Sequence, residues 1–162
     1  MTTLTLPALL PVRSLLEDLL GREVAVSHAN HAVVAADLPT TAVAVYVDNS
    51  RRLVAVLGLD LPLAAYAGAA LGLMPVGGAE DSIEDAELSP MLSENVQELC
   101  NILTGLLNKE GGPHLTLYRV VAPGEDLPSD AAAHLLALGN RLDVNVEISR
   151  YGGGVFALSL TA

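Results

Sequence analysis

Apolar and polar residues alternate with two different periods along this chain, and the periods mark out its elements. Val12, Leu15, Leu16, Leu19 and Leu20 recur at helical spacing over residues 12–20, with Gly21 as a natural stop. Runs rich in Val and Ala at 23–28, 42–47 and 53–59 read as strands, and Asp48-Asn49-Ser50-Arg51-Arg52 between the last two predicts a hairpin. A helix over 63–73 follows, then an acidic connector over 77–90 with Gly and Pro at its ends. Residues 114–121 read as another strand. Ser129 reads as the N-cap of a short helix over 130–138 closed by Gly139. Leu142, Val144, Val146 and Ile148 alternate with Asp143, Asn145 and Glu147, which marks a sheet with one wet face. A strand over 155–160 ends the pattern, and Gly152-Gly153-Gly154 reads as the turn before it. No Lys-Ser/Thr or strand–loop–helix context makes those glycines a phosphate loop. The sum is an α+β fold, one domain over 1–162: a mostly antiparallel sheet of about six strands with one long helix and shorter helices packed on it. No internal repeat is visible.

The long helix is predicted over residues 90–109. Ser89-Pro90 starts it, because Ser accepts from the free amides of the first turn and Pro suits the first helical position. Lys109 followed by Gly111-Gly112-Pro113 stops it, and twenty residues at about 1.5 Å each make a rod of roughly 30 Å. At about 100° per residue with Glu94 at zero, Leu92, Val96, Leu99, Leu103, Leu106 and Leu107 cluster within roughly 50° of the opposite pole. Glu94, Glu98, Asn101 and Gly105 fall within roughly 40° of zero and face water. Glycine in an exposed helix interior costs about 1 kcal/mol relative to Ala, and one use of Gly105 is to admit another surface beside Asn101.

Composition narrows the function classes. Apolar residues make up 51% of the 162, enough for one good core. Eight basic against nineteen acidic residues give a formal charge of −11, which repels phosphate backbones and anionic lipid heads. With no Trp and one Phe, stacking on bases is excluded too, so neither nucleic acid nor membrane is an expected partner. Residues 61–79 carry no charge, but Ala and Gly dominate them, Pro62 and Pro75 stand near the ends, and Gly68 and Gly72 have the spacing of a close-packing helix. They read as a buried helix. The N-terminal MTTLTLPALLP has no basic region of a secretion signal, so a cytoplasmic location is expected.

Other chemistry is thin. Cys100 is the only cysteine, so no internal disulfide or multi-thiolate metal site forms, and its place beside the apolar stripe makes it a structural thiol. His28 and His31 lack a carboxylate or thiolate partner in sequence, and no metal site is expected. The connector's Asp81, Glu84, Asp85 and Glu87 lack EF-hand spacing, and Ser82 with Asp85 fits a local cap. No G-x-S-x-G elbow occurs.

The run ENVQELCNILTG, 94–105, resembles the signature of the CheC/CheX/FliY family of chemotaxis phosphatases: Asp or Ser, three residues, Glu, two residues, Asn, and a proline some twenty-two residues on. Glu98 and Asn101 match the Glu and Asn. Glu94 stands where Asp or Ser is expected, and twenty-one residues separate Asn101 from Pro123, one short of the usual interval. The single copy and the chain length are most similar to CheX. The resemblance implies a phosphatase that removes the phosphoryl group from the aspartate of a phosphorylated CheY-type response regulator. In it Asn101 would orient the attacking water, Glu98 would dock on a partner lysine, and Glu94 and Gly105 would border the partner. No cofactor would sit in this chain, since Mg²⁺ belongs to the phosphorylated partner. CheX-type members pair as homodimers. Because Glu94 departs from the motif, the alternative is a non-catalytic module that binds a receiver domain.

Overall fold

The computed structural model describes residues 4–161. In chain order it contains α1 (Leu9–Leu20), β1 (Val24–His28), a 3-10 turn (Ala35–Thr40), β2 (Thr41–Val47) and β3 (Leu53–Asp60). Then come α2 (Leu61–Leu71), α3 (Val76–Asp85), α4 (Pro90–Ile102) with a 3-10 turn (Leu103–Leu106), β4 (Thr116–Val121), α5 (Ser129–Leu136), β5 (Arg141–Ile148) and β6 (Gly152–Leu160).

The six strands form one antiparallel sheet in the order β1-β5-β6-β3-β2-β4. This order reads identically backwards when β1 exchanges with β4, β2 with β5 and β3 with β6. The β2–β3 hairpin thus corresponds to the β5–β6 hairpin, and α1 before edge strand β1 corresponds to α4 before edge strand β4. The two halves are related by a two-fold in topology that no sequence repeat discloses.

One face of the sheet carries most of the core. Ala44, Tyr46, Leu57, Val144, Phe156 and Leu158 meet α1, α2 and α4 there. α2 packs closely in this layer because six of its eight buried positions are Ala or Gly, so the charge-free stretch serves packing. Among the described residues, no helix is long and apolar enough to cross a membrane. On the other face Val43, Val45, Val56 and Ala157 pack beneath Ala131 and Leu135 of α5. The same face of β5 leaves Asn145 and Glu147 exposed, the wet face its alternation predicts.

Five expectations are corrected. The connector over 77–90 contains a helix, α3, whose buried residues are the small Ala79 and Ser82, while Glu80, Asp81, Glu84 and Asp85 are exposed. So slight a stripe gives little apolar periodicity. Ser82 is no local cap: its Oγ accepts from Ser89 N at 3.2 Å. The long helix stops being α-helical at Ile102 and tightens through Leu103–Leu106, so α4 has 13 residues rather than twenty. Ile102, Thr104 and Gly105 are poor helix formers. Asn108 beyond them pairs with Leu115 like a strand residue, donating Nδ2–H to its carbonyl at 2.9 Å and accepting its N–H at 2.7 Å.

The three glycines are not the last hairpin's turn. Ser149, Arg150 and Tyr151 make it, with Arg150 at φ +70°, and Gly152, Gly153 and Gly154 pair with Ile148, Glu147 and Val146. They are glycines because β6 begins under close neighbours. A Cβ on Gly154 would strike Asp60 Oδ1 and lie 2.8 Å from Leu63 N, and one on Gly152 would lie 2.6 Å from the Tyr66 ring. Finally, Ser129 is the first residue of α5 and Pro128 its N-cap, and the helix ends at Leu136, ahead of Gly139.

Candidate functional site

α4 begins as its sequence dictates: Ser89 Oγ accepts from Leu92 N at 3.3 Å, with Pro90 in the first turn. Leu92, Val96, Leu99 and Cys100 are buried. Glu94, Glu98, Asn101 and Gly105 are all exposed, so the four predicted residues share one outward side. Glu98 and Asn101 lie three residues apart, roughly 4.5 Å along the axis. Gly105 stands in the 3-10 turn, and a Cβ there would meet nothing within 4 Å.

Two clamps hold this helix from its inner side. Near its middle Asn95 Nδ2 donates to Gly68 O of α2 at 3.0 Å, and Gly68 lets α2 approach until a Cβ there would lie 3.2 Å from Val96 and 3.3 Å from Leu92 O. Near its end Tyr46, from β2, donates its hydroxyl to Cys100 O at 2.6 Å. The carbonyl so held belongs to the residue immediately before Asn101. The Asn101 carboxamide therefore projects from a backbone held at the middle and near the end of α4, and positioning catalysis needs such a fixed support.

Neither clamp is visible in the sequence as a functional signal. Asn95 lies at the border of the helical wheel, and Tyr46 reads only as an apolar strand residue.

The buried groups nearby are not reactive. Cys100 is buried, and burial pushes its thiol up to about 12, which disfavours the thiolate. Burial, with a smaller contribution from Cys100, also raises the Tyr46 phenol well above its ordinary range. The proline of the resemblance, Pro123, lies just past β4, where Gly124 N donates to Pro39 O at 3.0 Å. That end of β4 pairs with Val43, whereas Tyr46 pairs with Leu117 near the other end. Four residues of strand, roughly 13 Å, already separate Leu117 from Val121.

Rival groupings do not converge. Among the described residues no three His, Cys, Asp or Glu side chains come together as a metal site. His28 ends β1, while His31 lines a cleft of about 350 Å³ with Asp37, Thr41, Asp60 and Val155. No α4 residue lines that cleft. Burial raises the Asp60 carboxyl there, although it caps α2 by accepting from Leu63 N at 3.0 Å.

No protein-family model matches the sequence, and no curated protein matches it either. Solved structures do match in fold. FliY of Thermotoga maritima aligns at 15% identity and TM-score 0.55 over 93% of this chain and 82% of that one. CheX of Borrelia burgdorferi, in a complex with CheY, BeF3 and Mg²⁺, aligns at 14% identity and TM-score 0.54 over 92% of each chain. The FliM middle domain of H. pylori aligns at 10% identity and TM-score 0.52 over 93% of this chain and 83% of that one. The chain has the α+β fold common to CheX, FliY and the FliM middle domain.

Proposed function

We propose that this chain is a cytoplasmic phosphatase that hydrolyses the aspartyl-phosphate of a CheY-type response regulator, using the outward side of α4. The observation that carries the reading is the placement of Glu98 and Asn101: both exposed, three residues apart, on a helix clamped through Asn95 and Cys100. The fold shared with a CheX resolved together with CheY supports it.

The chemistry asks little of the protein beyond positioning. The Asn101 carboxamide accepts a hydrogen bond from one water through its oxygen and donates one through its NH₂, holding the water oxygen in line with phosphorus. The water oxygen forms the new P–O bond as the bond to the aspartate breaks; the aspartate leaves as carboxylate, and both water protons stay on the released dihydrogen phosphate. A neutral amide does this without repelling the phosphoryl group, as a carboxylate there would. Glu98 pairs with a lysine of the partner and sets the depth of insertion. Mg²⁺ is the partner's, bound with its phosphoryl group. Glu94 extends the acidic row by one turn, and open space over Gly105 admits the partner's surface.

The test is phosphate release from a phosphorylated receiver domain. Asn101 is exposed, so Asn101→Ala leaves stability within about 0.5 kcal/mol of wild type. It lowers stimulated release on the order of 10²-fold or more. Equal release by the variant sinks the mechanism.

A second reading has an observation of its own: Glu94 occupies the position where the motif has Asp or Ser, and a FliM middle domain shares the fold too, at TM-score 0.52. On that reading the chain binds a receiver domain without hydrolysis. Capture of the phosphorylated receiver with no faster phosphate release would decide for it.

A further inference from the structure

The turn after α2 holds a leucine where leucines rarely sit. Leu73 has φ +55°, in the left-handed region that branched side chains enter only at a cost. Its side chain is 81% exposed, so no burial offsets that cost. The other described non-glycine residues with positive φ are Arg51, Ala86 and Arg150, none of them a large apolar residue.

The turn itself is firmly held. Leu73 N donates to Ala70 O at 3.2 Å and Met74 N to Ala69 O at 2.8 Å, while Tyr151 donates its hydroxyl to Met74 O at 2.6 Å. Asn95 closes the other side: a Cβ on Gly72 would collide with its amide. Glycine or asparagine would make the same turn without strain. An outward leucine on a rigid, strained turn is what a docking anchor needs, because little side-chain or backbone freedom is left to lose on binding.

Met91 is an exposed apolar residue of α4 on the Asn95 side of Glu98. It is 58% exposed and stands one turn before Asn95 on α4, about 20° round the helix from Glu98 at 100° per residue. Moving round α4 from Asn101, one meets Glu94, Glu98, Met91 and then Asn95, against which the Leu73 turn rests. Beyond that turn α3 exposes Glu80, Glu84 and Asp85. The patch is therefore apolar at its centre and acidic at both margins, in a chain of net charge −11.

We propose that Leu73 and Met91 form an apolar anchor contiguous with the Glu94–Glu98–Asn101 face, and that its occupant is the same phosphorylated receiver domain. The charge pattern fits a partner surface with an apolar centre and basic flanks, continuous with the lysine that Glu98 meets. The inference rests on the proposed function for its partner.

The probe is a CheY-type receiver domain held in its active form by beryllofluoride and Mg²⁺. Leu73→Gly and Leu73→Asn remove the anchor and the strain together, so melting temperature stays level or rises while Kd weakens at least fivefold. Met91→Gln, an exposed change that keeps the helix, weakens Kd in the same direction. A purely structural leucine would give the reverse: a lower melting temperature and an unchanged Kd. If wild type binds and all three variants stay within twofold of it, the anchor is overturned and the phosphatase reading survives. If wild type captures no activated receiver domain, both fall.

Discussion

Tyr46→Phe tests whether the clamp under Asn101 is as strong as its geometry implies. The phenol is fully buried and donates to Cys100 O at 2.6 Å, so the substitution removes one donor from a buried carbonyl and leaves the ring packing intact. A buried polar group deprived of its partner costs about 1–3 kcal/mol. For a chain of 162 residues each kcal/mol moves the melting temperature by about 2–4 °C, which places the variant roughly 4–8 °C below wild type for a central 2 kcal/mol.

The alkaline limb gives a second, independent reading of the same clamp. The Tyr46 phenol and the Cys100 thiol are both raised in the folded chain, the thiol from 9.0 to about 12. The folded chain then keeps protons that the unfolded chain releases. Each group's stabilisation is fully present below its unfolded pKa and is lost as pH climbs toward its folded value. While both stay protonated, above about pH 10, each lowers stability by about 1.4 kcal/mol per pH unit. On their account wild type should lose stability with pH about twice as steeply as Tyr46→Phe. Urea unfolding followed by circular dichroism from pH 7 to 11 measures both quantities. A variant within 0.5 kcal/mol of wild type at pH 7, or one with an unchanged alkaline slope, refutes the account.

Two further substitutions probe the junction of β6 with α2. Gly154→Ala should cost about 2 kcal/mol or more, because its Cβ meets Asp60 Oδ1 and the first turn of α2. A urea midpoint matching wild type would show that β6 can move aside. Asp60→Asn keeps an N-cap acceptor but removes the charge. Burial raises the Asp60 carboxyl in the folded chain, so its contribution is present below the unfolded value near 3.9 and fades as pH rises through the folded value. Wild type should accordingly lose stability relative to Asp60→Asn from about pH 4 upward, and parallel urea midpoints across pH 3–7 would contradict this.

What the sequence disclosed follows from the range of each interaction. β5 was legible because one of its faces is wet, and the start of α4 because Ser89 and Pro90 act within their own turn. The exposure of Glu94, Glu98 and Asn101 came from the same local periodicity. The end of α4 was not legible, because Asn108 leaves the helix to pair with Leu115, and a run of leucines looks the same in an α-helix and in a 3-10 turn. The glycines at 152–154 read as a turn because glycine signals both freedom and close approach, and only the third dimension tells them apart. The clamps were out of reach for the same reason. Asn95 finds its acceptor 27 residues away, and Tyr46 finds Cys100 at a separation of 54.

The two-fold topology makes the assignment to α4 a matter of side chains rather than architecture. α1 and α4 hold corresponding places, each ahead of an edge strand and each burying one stripe in the same core. Yet α1 exposes Arg13, Ser14 and Asp18 and pairs Arg13 with Glu17 at 3.5 Å, so it has no Glu-x-x-Asn to offer. The fold supplies two platforms, and of the two only α4 exposes a Glu-x-x-Asn pair, Glu98 and Asn101. The same fold serves CheX, FliY and the FliM middle domain, so scaffold alone does not separate a phosphatase from a binding module. What separates them is whether a neutral amide stands on a fixed helix where a water must be held. In this chain Asn101 is exposed, Tyr46 holds the carbonyl of Cys100 just before it, and Asn95 ties the same helix to α2, which is the placement the proposed phosphatase reading uses.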